Sequence, residues 1–202
     1  MSKRDRIAAA AMMKTDPEAA KGGTPSLGDV PTITIPHATS NGAEGVPAGY
    51  PHTPEGAAGQ LSNILWSVLS SMDLAHARRV QAAWFEDPHP ADVWPVMVLI
   101  QGFLRAGQLT DGLEPGASLR VEPAAAQIKG SDGADWHVAC VLVEITYTYR
   151  DQARMAYGHC ERMAWTGQQW VIAAGSHPVP APSTWPGTDL AVQAGWRSWV
   201  EG

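Results

Sequence analysis

The sequence predicts an α+β domain in which three N-terminal helices pack on a curved, mainly antiparallel sheet of about four strands, giving a cone-like shape. Three observations carry this reading. Apolar residues at helical spacing are confined to residues 54–106, alternation with a period of two begins only after residue 118, and a turn-rich stretch, Thr110–Ser118, separates them. Helices followed by a run of strands is the order of a sheet with its helices gathered on one face. Hydrophobic residues at 45% against 17% charged supply enough apolar surface for a core.

Residues 1–49 read as a disordered or extended arm. Thirteen of the thirty-five residues from Gly22 to Gly56 are Gly or Pro, which leaves too little apolar surface to offset the ordering entropy. Thr32–Ile35 is a short strand at most. Ahead of it, Lys3, Arg4 and Arg6 precede an apolar run, Ile7–Met13, that Lys14, Asp16 and Glu18 cut short. The run lacks an export-type extension, and a membrane-touching helix is the rival reading.

The domain proper spans 50–175. Thr53-Pro54-Glu55 combines a cap, a first-turn proline and a first-turn acid, and Leu61, Ile64, Leu65, Val68, Leu69 and Met72 then lie along one face. Asp73 caps a second helix through Leu74, Ala77, Val80 and Trp84. After the break at Asp87-Pro88-His89-Pro90, a third runs through Val96, Met97, Ile100, Phe103 and Leu104, with Asp92 as its cap and Gly107 as its stop. Leu119–Ile128 follows as an edge or bulged strand because of Pro123. Trp136–Tyr149 is a long strand that must bend, and Met155–Trp165 and Gln168–Ala173 form a hairpin about Thr166-Gly167. Residues 176–202 are a Pro/Trp-rich tail, with a short helix, capped by Thr188 and Asp189 and ending near Trp196 and Trp199, that docks on the domain.

A net charge of −6 and a pI near 5.6 argue against nucleic acid as a partner, which needs a basic face. No stretch approaches the roughly 20 apolar residues of a membrane span, and the expected location is cytoplasmic. With the turn placed at Asp151 and Gln152, Cys140 stands opposite Arg162 or Met163, so two buried free thiols are expected. None of the seven histidines has metal-ligand spacing from another, and neither a phosphate loop nor a Gly-x-Ser-x-Gly elbow occurs. No metal and no cofactor is expected.

The hairpin Arg162-Met163-Ala164-Trp165-Thr166-Gly167-Gln168-Gln169-Trp170-Val171-Ile172, together with the element order, resembles the cone-shaped superfamily of nuclear transport factor 2, over about Pro54 to Ala174. Tyr50-Pro51-His52-Thr53-Pro54-Glu55-Gly56-Ala57-Ala58 and Pro182-Ser183-Thr184-Trp185-Pro186-Gly187-Thr188 are similar to segments of uncharacterised proteins of actinobacterial plasmids and integrative conjugative elements. Cone-fold domains of conjugation machines are assembly components tethered by a membrane helix. The resemblance therefore implies a non-catalytic protein-interaction or assembly domain of a mobile genetic element, in conjugative transfer. The alternative is a small-molecule-binding domain or acid/base enzyme of the cone type, isomerase- or cyclase-like.

One constellation carries chemistry. On the strand Met155–Trp165, alternation sends Tyr157, His159 and Glu161 to one face, with Met163 and Trp165, and Ala156, Gly158, Cys160 and Ala164 to the other. Facing the hollow, the first set would be a proton-transfer pocket. The small residues suggest instead that helices pack on Ala156–Ala164 and that the Tyr/His/Glu face lies outside. Trp185, Trp196 and Trp199 are the candidate binding residues, either docked within the chain or anchoring a protein partner. Neither face of the strands is cleanly polar, so the tail or a homodimer must cover the second face.

Overall fold

The structure is a computed structural model that describes residues 1–89 and 92–202. Among these residues the fold is α+β, with five helices and a six-stranded, mainly antiparallel sheet curled into a half-barrel. The helices are α1 (Lys3–Ala9), α2 (Pro54–Ser71), α3 (Leu74–Trp84), α4 (Pro95–Ala106) and α5 (Asp189–Gln193). The strands are β1 (Thr32–Ile35), β2 (Ser40–Asn41), β3 (Pro47–Ala48), β4 (Ser118–Ser131), β5 (Trp136–Tyr149), β6 (Asp151–Trp165), β7 (Trp170–Ile172) and β8 (Arg197–Glu201). The large sheet has the order β1-β8-β4-β5-β6-β7, and β2 and β3 form a separate ladder. The counts exceed those expected because α1, β1 and β8 come from stretches read as arm and tail.

The helical hairpin forms where capping chemistry directs it. Thr53 Oγ1 accepts from the Gly56 amide at 3.0 Å and starts α2, and Asp73 Oδ1 accepts from the His76 amide at 2.9 Å and starts α3. In α4, Pro95 takes the first helical position and Trp94 stands at the N-cap, where Asp92 was expected, with no side-chain capping bond. Leu61, Ile64, Leu65, Val68 and Leu69 of α2 are fully buried in the hollow of the sheet. Each contributes up to about 1.5–3 kcal/mol. Facing them are Ala139, Val141 and Val143 of β5.

The register of the hairpin between β5 and β6 differs by two or three residues from the sequence expectation. Tyr149 pairs with Asp151, and Arg150 alone makes the turn in a left-handed conformation with φ 61°. The turn therefore centres on Arg150, ahead of Asp151 and Gln152. This moves Cys140 opposite Cys160, with Cα atoms 4.0 Å apart, and the two form a disulfide. The free thiols expected from the sequence are thus corrected by a tighter turn. Pro123 does produce its bulge, at the register shift between Pro123 and Ala125. The β6–β7 turn is a four-residue loop, because Trp165 pairs with Trp170.

The convex face of the sheet carries a second core of Trp136, Val138, Cys140, Leu142, Ala156 and Cys160, covered by the two chain ends. The arm expected to lack order packs on both faces: Ala8 is buried in this convex layer, whereas Ile35 and Val46 are buried in the core of the hollow. Too poor in apolar groups to fold alone, it uses the surface of a sheet that is already built. Ser2 and Asp5 cap α1 reciprocally. Asp5 Oδ1 accepts from Arg162 Nη1 at 2.9 Å, and the same guanidinium donates to Ser176 O at 2.8 Å. Arg162 thereby joins arm, sheet and tail. The cover for which a dimer was invoked is supplied by the chain itself.

Candidate functional site

Tyr157, His159 and Glu161 face the hollow, not the outside. They pair with Val143, Val141 and Ala139, whose side chains lie in the core under the helices. The expectation that helices pack on Ala156–Ala164 is corrected. Those residues are small because main chain approaches them, and a Cβ on Gly158 would stand 2.6 Å from Pro182 O. The Gly158 amide also donates to Ser183 Oγ at 3.0 Å.

Along β6 the three side chains form one hydrogen-bonded line. His159 Nε2 meets Glu161 Oε1 at 2.7 Å, and the Tyr157 hydroxyl meets His159 Nδ1 at 3.0 Å. The carboxylate only accepts, so Nε2 carries a proton. Trp94 Nε1 donates to the same Glu161 oxygen at 2.8 Å. An indole at an N-cap has no capping chemistry to offer, and here it reaches across the hollow instead. Glu161 Oε2 has no hydrogen bond among the described residues, with His177 Nδ1 standing 3.8 Å away.

Glu161 is 1% exposed, yet it forms part of the wall of a cavity of about 260 Å³. Phe85, Asp87 and Asp92 from the α3–α4 connection, Ile172 from β7, and His177 complete the part that matters. Burial alone would raise the Glu161 carboxyl. The hydrogen bond and charge of His159, followed by the nearby His177 imidazole, outweigh burial and hold it down at about 2. Interaction with Glu161 raises the His177 pKa against the opposing effect of burial. Burial, with the Glu161 charge, pushes the Tyr157 phenol far up, so it stays neutral. An ionised carboxylate this stabilised is a weak base. It is better suited to holding a donor than to abstracting a proton.

The sequence brought three of these residues together and missed two. The missed two are His177 and Trp94, which no sequence spacing links to Glu161. The tail tryptophans are spent within the chain. Trp196 is buried and donates to Pro182 O at 3.0 Å. The Arg154 guanidinium lies 5.1 Å from the Trp185 ring centre, and Trp199 sits in β8, packed on the main core. Among the described residues no group of three His, Cys, Asp or Glu side chains is arranged to hold a metal. No helix there is long and apolar enough to cross a membrane. No family model, no curated protein and no solved structure matches the chain.

Proposed function

We propose that the chain is a small-molecule-binding domain of the cone-like type, in which Glu161 anchors an N–H or ammonium group of the ligand. The observation that carries this is a buried carboxylate with one oxygen clamped by Trp94 and His159, while the second has no hydrogen bond, in the wall of a cavity. Tyr157 and His159 hold that carboxylate in place. Asp87 and Asp92 in the same wall favour a cation, and Arg162, which also lines it, is engaged by Asp5 and Ser176. An assembly module of a mobile element, the role the resemblance suggests, has no use for such a group, and for that reason the pocket reading is preferred. The Cys140–Cys160 bond supports an oxidising compartment over the cytoplasm.

The test uses benzylamine, with benzoate as the opposite-charge control, followed by amide NMR shifts of Gly175, Ser176 and His177. Benzylamine should shift these signals saturably, and Glu161→Gln should weaken it roughly tenfold, the worth of a charge-assisted hydrogen bond. Asp87→Asn, at a more exposed position, should weaken it less and serves if the first variant does not fold. Absence of saturable shifts, or equal binding of benzoate, would sink the proposal.

A further inference from the structure

We infer that the other end of the hollow holds a second binding site, for a compact uncharged apolar molecule. It is independent of the Glu161 cavity. The floor is made by two paired rows of the sheet, Ile145 with Met155 and Tyr147 with Ala153, next to the β5–β6 turn. Leu99 and Phe103 of α4 form a wall, and the space enclosed is about 350 Å³. That is within the range of small-ligand pockets.

Three features define the ligand. First, the polar atoms around this space are engaged by protein partners. The Tyr147 hydroxyl donates to Glu114 at 2.7 Å, Arg154 is paired with Glu144, and Lys21 Nζ with Glu18 at 2.6 Å. A ligand group needing a hydrogen bond would find little to answer it, and its desolvation would go uncompensated. Second, α4 carries more apolar residues than its core stripe uses. Val96, Met97, Ile100 and Leu104 are buried, whereas Leu99 and Phe103 stay half-exposed and line the cavity. Third, Met72 and Met155 both contribute to the lining. Methionine adapts its shape to what it touches, which suits a site that accepts a family of hydrocarbons or aromatic rings. Phe103 and Tyr147, edge to face with centroids 5.5 Å apart, offer ring surface at one side.

The experiment uses the full chain with labelled methionine methyls, titrated with p-xylene as the apolar probe and with benzylamine as a charged ring of similar size. p-Xylene should shift the Met72 and Met155 methyls saturably. Ala153→Phe, which places a ring in the cavity from an exposed position, should weaken it by roughly tenfold or more. Leu99→Phe should act in the same direction from the opposite wall, and it decides the matter if Ala153→Phe fails to fold. Glu161→Gln should leave p-xylene binding unchanged, so failure of the Glu161 proposal and failure of this one are distinguishable. The inference is overturned by an absence of saturable methyl shifts, by p-xylene binding that neither filling variant weakens, or by benzylamine shifting these methyls as strongly as p-xylene.

Discussion

The two faces of one sheet are covered in opposite ways. The hollow is filled mainly by α2, α3 and α4, a contiguous piece of chain with its own stripes, joined by Ile33, Ile35 and Val46 of the arm, and its large contacts are Leu, Ile, Val and Trp. The convex face is covered by the two ends of the chain, and it is dominated by alanine, including Ala125, Ala156, Ala164, Ala181, Ala191 and Ala194. Large side chains hold helices about 8–10 Å off a neighbour. Small ones let an extended main chain lie directly on the strands, as Pro182 does on Gly158. A row of small residues on a strand therefore marks where a strap lies, and large residues opposite mark where helices lie.

Removing the disulfide is the strongest way to break this contrast, because it lies entirely in the convex layer. Cys140→Ala with Cys160→Ala should cost about 3 kcal/mol for a loop of this length, with the two residues separated by 20 in sequence. Denaturant unfolding gives the number, and proteolysis should show residues 1–21 cut before the helices. Loss of both layers together, with no early cutting of the arm, would mean the faces are one cooperative unit.

The hollow answers to pH through a buried group, whereas the carboxylates at the strap, Asp5 and Asp132, are more exposed. Glu161 is held low, so the stability it contributes is present above its ordinary pKa of 4.5 and is lost as pH falls toward about 2. Thermal melts should lose on the order of 2 kcal/mol across that window, and Glu161→Gln should flatten this limb. His177 is raised, so its contribution is present below 6.5 and fades as pH climbs past that value. The site should thus be firmest between the two limbs.

A small effect sharpens the same comparison from the turn. Arg150 sits at φ 61°, a conformation that costs a non-glycine residue about 1 kcal/mol. Arg150→Gly should gain up to roughly 0.5–1 kcal/mol in denaturant melts and leave the Cys140–Cys160 pairing intact. A shifted register, detected as free thiols, would show that the turn does not set the pairing.

α2 and α3 were legible because each announces itself locally, with a Thr or Asp at the start and a stripe along the length, and α4 by its stripe and first-turn proline. The strap was not, since Ile7, Ala8 and Met12 have meaning only against a sheet formed by residues more than a hundred positions away. The same holds for the site. Tyr157, His159 and Glu161 share a strand and were found together, whereas Trp94 and His177 join them across the hollow. Which face they occupied was misread because small residues were taken to signal helix packing. The register of the cysteines hinged on one residue, Arg150, whose left-handed turn no glycine or asparagine marks.

The pairing of β1 with β8 has a consequence for the order in which the chain is made. Thr32 lies beside Ser198 and Ile35 beside Glu201, and β8 in turn is the strand that covers the outer edge of β4, at Ala125 and Ala126. During synthesis Thr32–Ile35 leaves the ribosome long before its partner Arg197–Glu201. Until then β4 presents unpaired amides and carbonyls, the feature by which strands of different molecules find one another. A chain stopped at Gly175 would keep every helix of the hollow and yet be left with that edge open. Chains that carry β8 should stay dispersed where such truncated ones aggregate, because its five residues act as a closing seam.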